Sequence, residues 1–307
     1  MPSLMGLLGV PFSIGPLGGG ERAPHALRKS YTLAGKCLDA VRDVLNALVW
    51  LDPLMHLTFL TAKNIYVSSA DSARVVPIMY RHKTHVALQV GITVTPHQGA
   101  YKQWGDASDR AFESVNAELT AEIDSTVLHH IPHALPNLLD EDTQKPFKLL
   151  FTGRLLYWKG IHLALAALAR LRHHYPNRRM EYTIIGSGKD EAWLKQRAEV
   201  LALQDSVTWV PYVHQAELLQ MYRDYDVFLF PSLHDSGGVS VLEAMMNGLP
   251  VVCLDIGGPG TIVTSGCGRK ISVDDKRECV VVQDLADALA DLMDLMQDAQ
   301  QYQQLRR

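Results

Sequence analysis

Only four of the 307 residues are cysteine (Cys37, Cys253, Cys267 and Cys279), and no pair has the CxxC spacing of a zinc or redox site. That excludes a disulfide framework and suits a reducing compartment. A large excess of either charge is lacking too. A net charge of −4 with His neutral supplies no basic field for nucleic acid. The pairs Arg178–Arg179 and Arg306–Arg307 are too short to change this and read as solvated surface. No apolar run approaches the roughly 18–20 residues that span a bilayer. Met1 to Pro16 contains an apolar stretch but no basic leader and no clear cleavage site. A cytoplasmic protein is the default, with peripheral contact at the inner face of a membrane left open. Gly18-Gly19-Gly20 is no GxGxxG fingerprint, so nicotinamide binding has little support. There is no internal repeat and no long low-complexity tract.

What is present is alternation. Phe147–Thr152 is a short apolar run, and a helical segment follows from Gly160 to about His174, where Leu163, Ala167 and Leu171 recur near the helical period. Strand patterns at Tyr182–Ile185, Val207–Val210, Val227–Phe230 and Val251–Leu254 alternate with helical ones at Asp190–Val200, Ala216–Tyr222 and the segment through Glu243. Such spacing predicts a parallel sheet covered on both faces, with ligands at the carboxyl ends of the strands. The first half is less regular. Gly6–Ile14 reads as a strand running into Gly15–Gly20. Leu27 to Leu51 reads as helical, Asn64–Val67 as a strand and Val86–Thr95 as another. Pro132 to Pro146 has the composition of a linker, which divides the chain into residues 1–146 and 147–307.

Two constellations carry chemistry. In Gly153-Arg154-Leu155-Leu156-Tyr157-Trp158-Lys159-Gly160 a strand ends and two cations stand before a helix. Arginine clamps phosphate oxygens in a bidentate fork, lysine supplies a mobile charge, and the helix start adds unpaired N–H groups. The alternative is a pair of solvated cations on a loop. In Pro231-Ser232-Leu233-His234-Asp235-Ser236-Gly237-Gly238-Val239 a strand runs into a polar loop with two glycines and a second helix. Glu243 lies more than a turn inside that helix among Leu242, Ala244 and Met245, where a carboxylate needs a specific partner. The vicinal hydroxyls of a ribose would supply one; a Glu on a solvated helix face is the alternative.

These motifs, in order from Phe147 to about Ile271, resemble the donor domain of the group 1 family of retaining glycosyltransferases. They include Ile-Gly-Ser-Gly at Ile185–Gly188, Pro231-Ser232 and Asp235-x7-Glu243. The form His-Asp-Ser-Gly-Gly, with Gly-Gly-Pro at Gly257–Pro259, resembles one branch of it. Gly15–Glu21 resembles the Gly-rich loop of that branch's acceptor domain. The resemblance implies a GT-B-like α/β fold of two Rossmann-like domains with parallel sheets, the N-terminal one incomplete. It implies transfer from a UDP- or GDP-linked sugar to a saccharide or lipid-linked saccharide, in envelope polysaccharide synthesis, with no cofactor and no metal. Arg154 and Lys159 would then neutralise the diphosphate, Asp235 would hold the sugar and Glu243 the ribose. Gly153, Gly186, Gly188, Gly237, Gly238 and Val239 would offer backbone to the donor. Val210 and Tyr212 would lie beside the base, and Gly18, Gly19 and Gly20 on the acceptor side.

This chain departs from the family pattern in several places. The first motif acid is Asp rather than Glu, and Thr261 stands where many relatives carry Glu. The place of an acceptor-side catalytic His is taken by Gly15-Pro16, with His25 a weak replacement. His129, His130 and His133 sit at a spacing two metal ligands could use, but Pro132 among them opposes a regular helix. A nucleotide-sugar epimerase of the same fold, or a catalytically weak nucleotide-sugar-binding fragment, are the rival readings. Leu285–Gln304 is helical in pattern, and the resemblance implies a chain trimmed at both ends.

Overall fold

The computed structural model describes Ser3 and residues 5–87 and 145–306. The linker expected over Pro132–Pro146 and the histidines at 129, 130 and 133 lie outside the described residues, save Lys145 and Pro146. In the first half a 3₁₀ turn at Met5–Leu8 precedes β1 (Ser13–Leu17). The strand therefore starts later than expected and itself contains Gly15-Pro16. It lies at an edge of its sheet, where the missing N–H of Pro16 can face away from the ladder.

The long helix expected over Leu27–Leu51 is broken by capping chemistry. A 3₁₀ turn spans His25–Arg28. Helix α1 (Leu33–Leu48) begins after Thr32, whose hydroxyl accepts the Gly35 N–H. Asp52 then starts α2 (Pro53–Thr61) by accepting the Leu54 and Met55 N–H groups, with Pro53 at the first helical position. β2 (Asn64–Val67), α3 (Ala70–Val75) and β3 (Thr84–Val86) follow. The three strands form a parallel sheet, ordered β1-β2-β3, over a small core of Met55, Phe59, Ile65, Val67 and Tyr80. The outer face of α1 exposes Leu38, Val41, Val44, Leu45 and Leu48. No single described helix is long and apolar enough to cross a membrane; α1 and α2 together pass by length and composition but meet at 58°.

The second half is more regular. Its strands are β4 (Phe147–Thr152), β5 (Met180–Ile185), β6 (Val207–Val210), β7 (Val227–Phe230), β8 (Val251–Leu254) and β9 (Gly268–Ile271). Its helices are α4 (Ile161–His174), α5 (Glu191–Val200), α6 (Gln215–Met221), α7 (Val239–Met246), α8 (Gly257–Ile262), α9 (Glu278–Leu295) and α10 (Ala299–Leu305). All six strands are parallel in the order β6-β5-β4-β7-β8-β9. β7 and β8 are buried along their whole length, as a sheet with helices on both faces requires. The strand order reverses between β4 and β7, so a crevice opens at the carboxyl ends of those two strands. The helix expected over Leu285–Gln304 is two helices, because Asp298 caps a fresh start by accepting the Gln300 and Gln301 N–H groups.

Candidate functional site

The crevice is built by backbone before any side chain enters it. The loop after β4 and the loop after β7 are tied by the Leu233 N–H, which donates to the Trp158 carbonyl at 2.8 Å. Gly160 lies so close that a Cβ there would stand 1.8 Å from the Pro231 carbonyl oxygen, and its φ of 69° suits glycine. Gly186 and Gly188 are shaped by the same need. A Cβ on either would meet the carbonyl oxygen of Gly153 or Leu155 at 1.9 or 2.2 Å. The Gly153 and Leu155 N–H groups donate to Ile185 and Ser187. The packing of the loop after β5 against the loop after β4 is thus the structural reason for glycine at 186 and 188.

This framework brings Lys159 and Asp235 together, with Nζ 2.5 Å from Oδ2. Lys159 also lies over the Phe230 ring, 5.0 Å from its centroid. The second carboxylate oxygen, Asp235 Oδ1, accepts the N–H groups of Gly237 (3.2 Å) and Gly238 (2.7 Å) just before α7. Burial pushes the Asp235 carboxyl up, but Lys159 and these two N–H groups outweigh it and hold it below the usual carboxylate range. One carboxylate thus occupies both the cation and the helix start that favour an anion. Arg154 is exposed on the same loop, and its side chain has no ion pair or hydrogen bond among the described residues.

Glu243 is half-buried and partnered within the protein. Gln215 Nε2 donates to Oε1 at 3.2 Å and the Tyr222 hydroxyl to Oε2 at 3.4 Å. Val210 closes β6, its carbonyl taken by the Gly186 N–H, and Tyr212 beyond it is 69% exposed. Thr261 spends its hydroxyl on the Gly257 carbonyl. His25 is exposed, and among the described residues its side chain makes no hydrogen bond to the site loops.

The Gly-rich loop of the first half closes over the same crevice. A Cβ on Gly18 would lie 3.2 Å from Ser236 Oγ, and one on Gly20 would lie 2.4 Å from the Ser72 Cα. Directly after these glycines stands the last residue of the Gly15–Glu21 motif, to which the motif assigned no role. Glu21 is fully buried, and its carboxylate accepts from the Gly19 N–H and the Ser69 and Ser72 hydroxyls. Its backbone carbonyl accepts His234 Nδ1 at 3.1 Å, and Asp71 Oδ2 accepts the Gly257 N–H at 2.9 Å. The signal available was a lone acid after three glycines followed by Ser69-x-x-Ser72, which is too weak to single out. A cavity of about 500 Å³ opens beside this loop, lined by Gly20, Arg22, Asn46, Trp50, Asp71 and Arg74. A larger one of about 730 Å³, lined by Arg172, Arg178 and Asp205, lies at the other end of the strands, away from these groups.

A family model described as "Glycosyl transferases group 1" matches residues 140–306. Over 121 residues the chain is 37% identical to the glycogen synthase of Mycobacterium tuberculosis, covering 39% of this chain and 29% of that one. Over 153 residues it is 37% identical to the D-inositol 3-phosphate glycosyltransferase of Paenarthrobacter aurescens, covering 49% and 36%. Among solved structures, Anabaena HepE in complex with UDP and glucose matches with a TM-score of 0.54 at 17% identity, covering 90% and 69%. WaaG, described as a glycosyltransferase involved in lipopolysaccharide biosynthesis, matches with a TM-score of 0.50 at 15% identity, covering 91% and 79%. These likenesses show the GT-B fold, with its two Rossmann-like sheets. The chain matches only 29% and 36% of the length of those two curated relatives.

Proposed function

The chain belongs to the group 1 glycosyltransferases, and from that premise we propose that it moves a sugar from a UDP- or GDP-linked donor to a saccharide hydroxyl, with retention. The observation that carries this reading is the Lys159–Asp235 pair at the start of α7, set where the strand order reverses. Breaking the anomeric C–O bond sends its electrons to the departing diphosphate. Lys159, Arg154 and the N–H groups of Gly237, Gly238 and Val239 would meet that charge without rearranging. Donor binding would exchange one anion for another: the diphosphate takes the lysine and the helix start, and Asp235 turns to sugar hydroxyls. Glu243 would hold the ribose, with Gln215 and Tyr222 as its supports. Val210 and Tyr212 would flank the base.

The acceptor, a saccharide or lipid-linked saccharide of envelope polysaccharide synthesis, would enter beside Gly18–Gly20. The cavity lined by Trp50, Asn46 and Asp71 supports that side. The test is to incubate the chain with UDP- and GDP-sugars, with and without saccharide acceptors. Transfer, or slow hydrolysis to the diphosphate, is the expected outcome. Conversion of the donor into its epimer, or no binding of any donor, would overturn the reading.

A further inference from the structure

His234 immediately precedes Asp235 on the loop after β7, yet its imidazole is held from the other half of the chain. Nδ1 lies 3.1 Å from the Glu21 backbone oxygen and 3.8 Å from the Glu21 carboxylate. Both neighbours are acceptors, so the ring hydrogen belongs on Nδ1. A neutral imidazole with hydrogen on Nδ1 has a bare lone pair on Nε2. That atom has no hydrogen-bond partner among the described residues, and it is not among the buried polar atoms left unpaired, so it reaches solvent. The ring itself stands between the loop after β7, which carries it, and the Gly-rich loop, whose Glu21 holds Nδ1.

We propose that His234 is a substrate-reading residue of the transfer site, whose Nε2 accepts a hydrogen bond from a sugar hydroxyl, its tautomer fixed by the Glu21 carbonyl. The inference rests on the nucleotide-sugar reading above and deepens it. Burial, with Arg42 adding, lowers the His234 pKa, and Glu21 and Asp39 oppose this without reversing it, so the ring is neutral near neutral pH. A neutral acceptor beside the Asp235 carboxylate suits a hydroxylated sugar, which brings protons to both. It disfavours a sugar that carries its own carboxylate.

Two substitutions separate reading from latching. In His234→Asn the amide N–H stands where Nδ1–H stood and nothing reaches the Nε2 position. In His234→Gln a carbonyl reaches that position and the Glu21 contact is lost. Calorimetric titration of the full chain and both variants would use UDP, UDP-glucose, GDP and GDP-mannose. His234→Asn should weaken the sugar nucleotide relative to its own diphosphate by about fivefold, the worth of one neutral hydrogen bond. His234→Gln should keep that ratio, and free diphosphate affinity should be unchanged in both. If His234→Asn matches the parent, or if the parent gains nothing from the sugar, the inference is overturned. Binding of none of the four by the parent overturns the donor reading and this inference with it. Nitrogen-detected NMR of the imidazole needs no ligand: hydrogen on Nδ1 is expected, and hydrogen on Nε2 sinks the proposal.

Discussion

His162, in the first turn of α4, is fully enclosed between Tyr31 and Trp193, with ring centroids 5.9 and 5.3 Å away. Neither ring nitrogen has a hydrogen-bond partner among the described residues. Burial, aided by Arg197, drives its pKa from 6.5 down to about 3. Between those values the unfolded chain takes up a proton that the folded chain refuses, so stability falls as pH falls through that window. His162→Leu should remove this slope, on the order of 1 kcal/mol per pH unit, and leave stability above pH 6.5 equal or higher. Denaturant melts at stepped pH read it directly, and an unchanged slope would refute the assignment. Asp235 has the same sign in a lower window. Its depressed pKa gives stability that is present above the ordinary 3.8 and is lost as pH falls through the folded value. Lys159→Ala should weaken diphosphate binding about 10- to 150-fold while leaving nucleoside binding nearly unchanged, since a charge-assisted contact contributes about 1.5–3 kcal/mol. Equal losses for both ligands would show the site misassigned. The sequence made Lys159 and Asp235 visible because cations and acids beside glycines at strand ends are rare. It did not make their pairing visible. Nor did it reveal Gln215 and Tyr222 against Glu243, since such partners have no fixed spacing.

Elements set how far apart those side chains stand. The strands of the second half were legible because a sheet buried on both faces needs continuous apolar runs, and β4, β6, β7 and β8 match their expected bounds residue for residue. α8 and β9 were not. Gly257–Ile262 carries three glycines and a proline in a buried turn with no apolar period, and β9 is an edge strand with Arg269 and Lys270 on it. In the first half, Pro16 reads as the end of a strand when it lies within one. The loops between elements give a sharper test. Gly160→Ala places a methyl 1.8 Å from the Pro231 carbonyl oxygen, at a φ of 69°. The loops after β4 and β7 must then part. Backbone strain alone costs roughly 1–3 kcal/mol, and the displaced Lys159 should lose diphosphate affinity as well. A variant with the melting temperature and affinity of the parent would mean that the two loops are not coupled.

At the scale of the molecule, a segment of the first half is part of the second half's core. Ala23, Leu27 and Tyr31 belong to the same buried cluster as β4, β7 and α4. The Tyr31 and Tyr157 rings meet edge to face at 4.7 Å. The Tyr157 hydroxyl donates to buried Asp39 on α1, and the Ser30 hydroxyl donates to Glu278 at the start of α9. None of this was legible, because contacts across more than a hundred residues leave no local period, and Leu27 reads only as one more apolar residue in a helical stretch. The consequence is that the two halves should not unfold independently. Leu27 is wholly inaccessible, so Leu27→Ala removes buried methyl groups and leaves a cavity, at a cost of about 2–5 kcal/mol. Because that cavity opens against the second half's own core, fluorescence from Trp158 and Trp193, both packed on the cluster, should report the loss in full. One cooperative transition shifted to lower denaturant is the expected result. Two transitions, with the tryptophan-reported one unmoved, would show that the halves fold as separate units and that the segment from Ala23 to Tyr31 is not integral to the donor side.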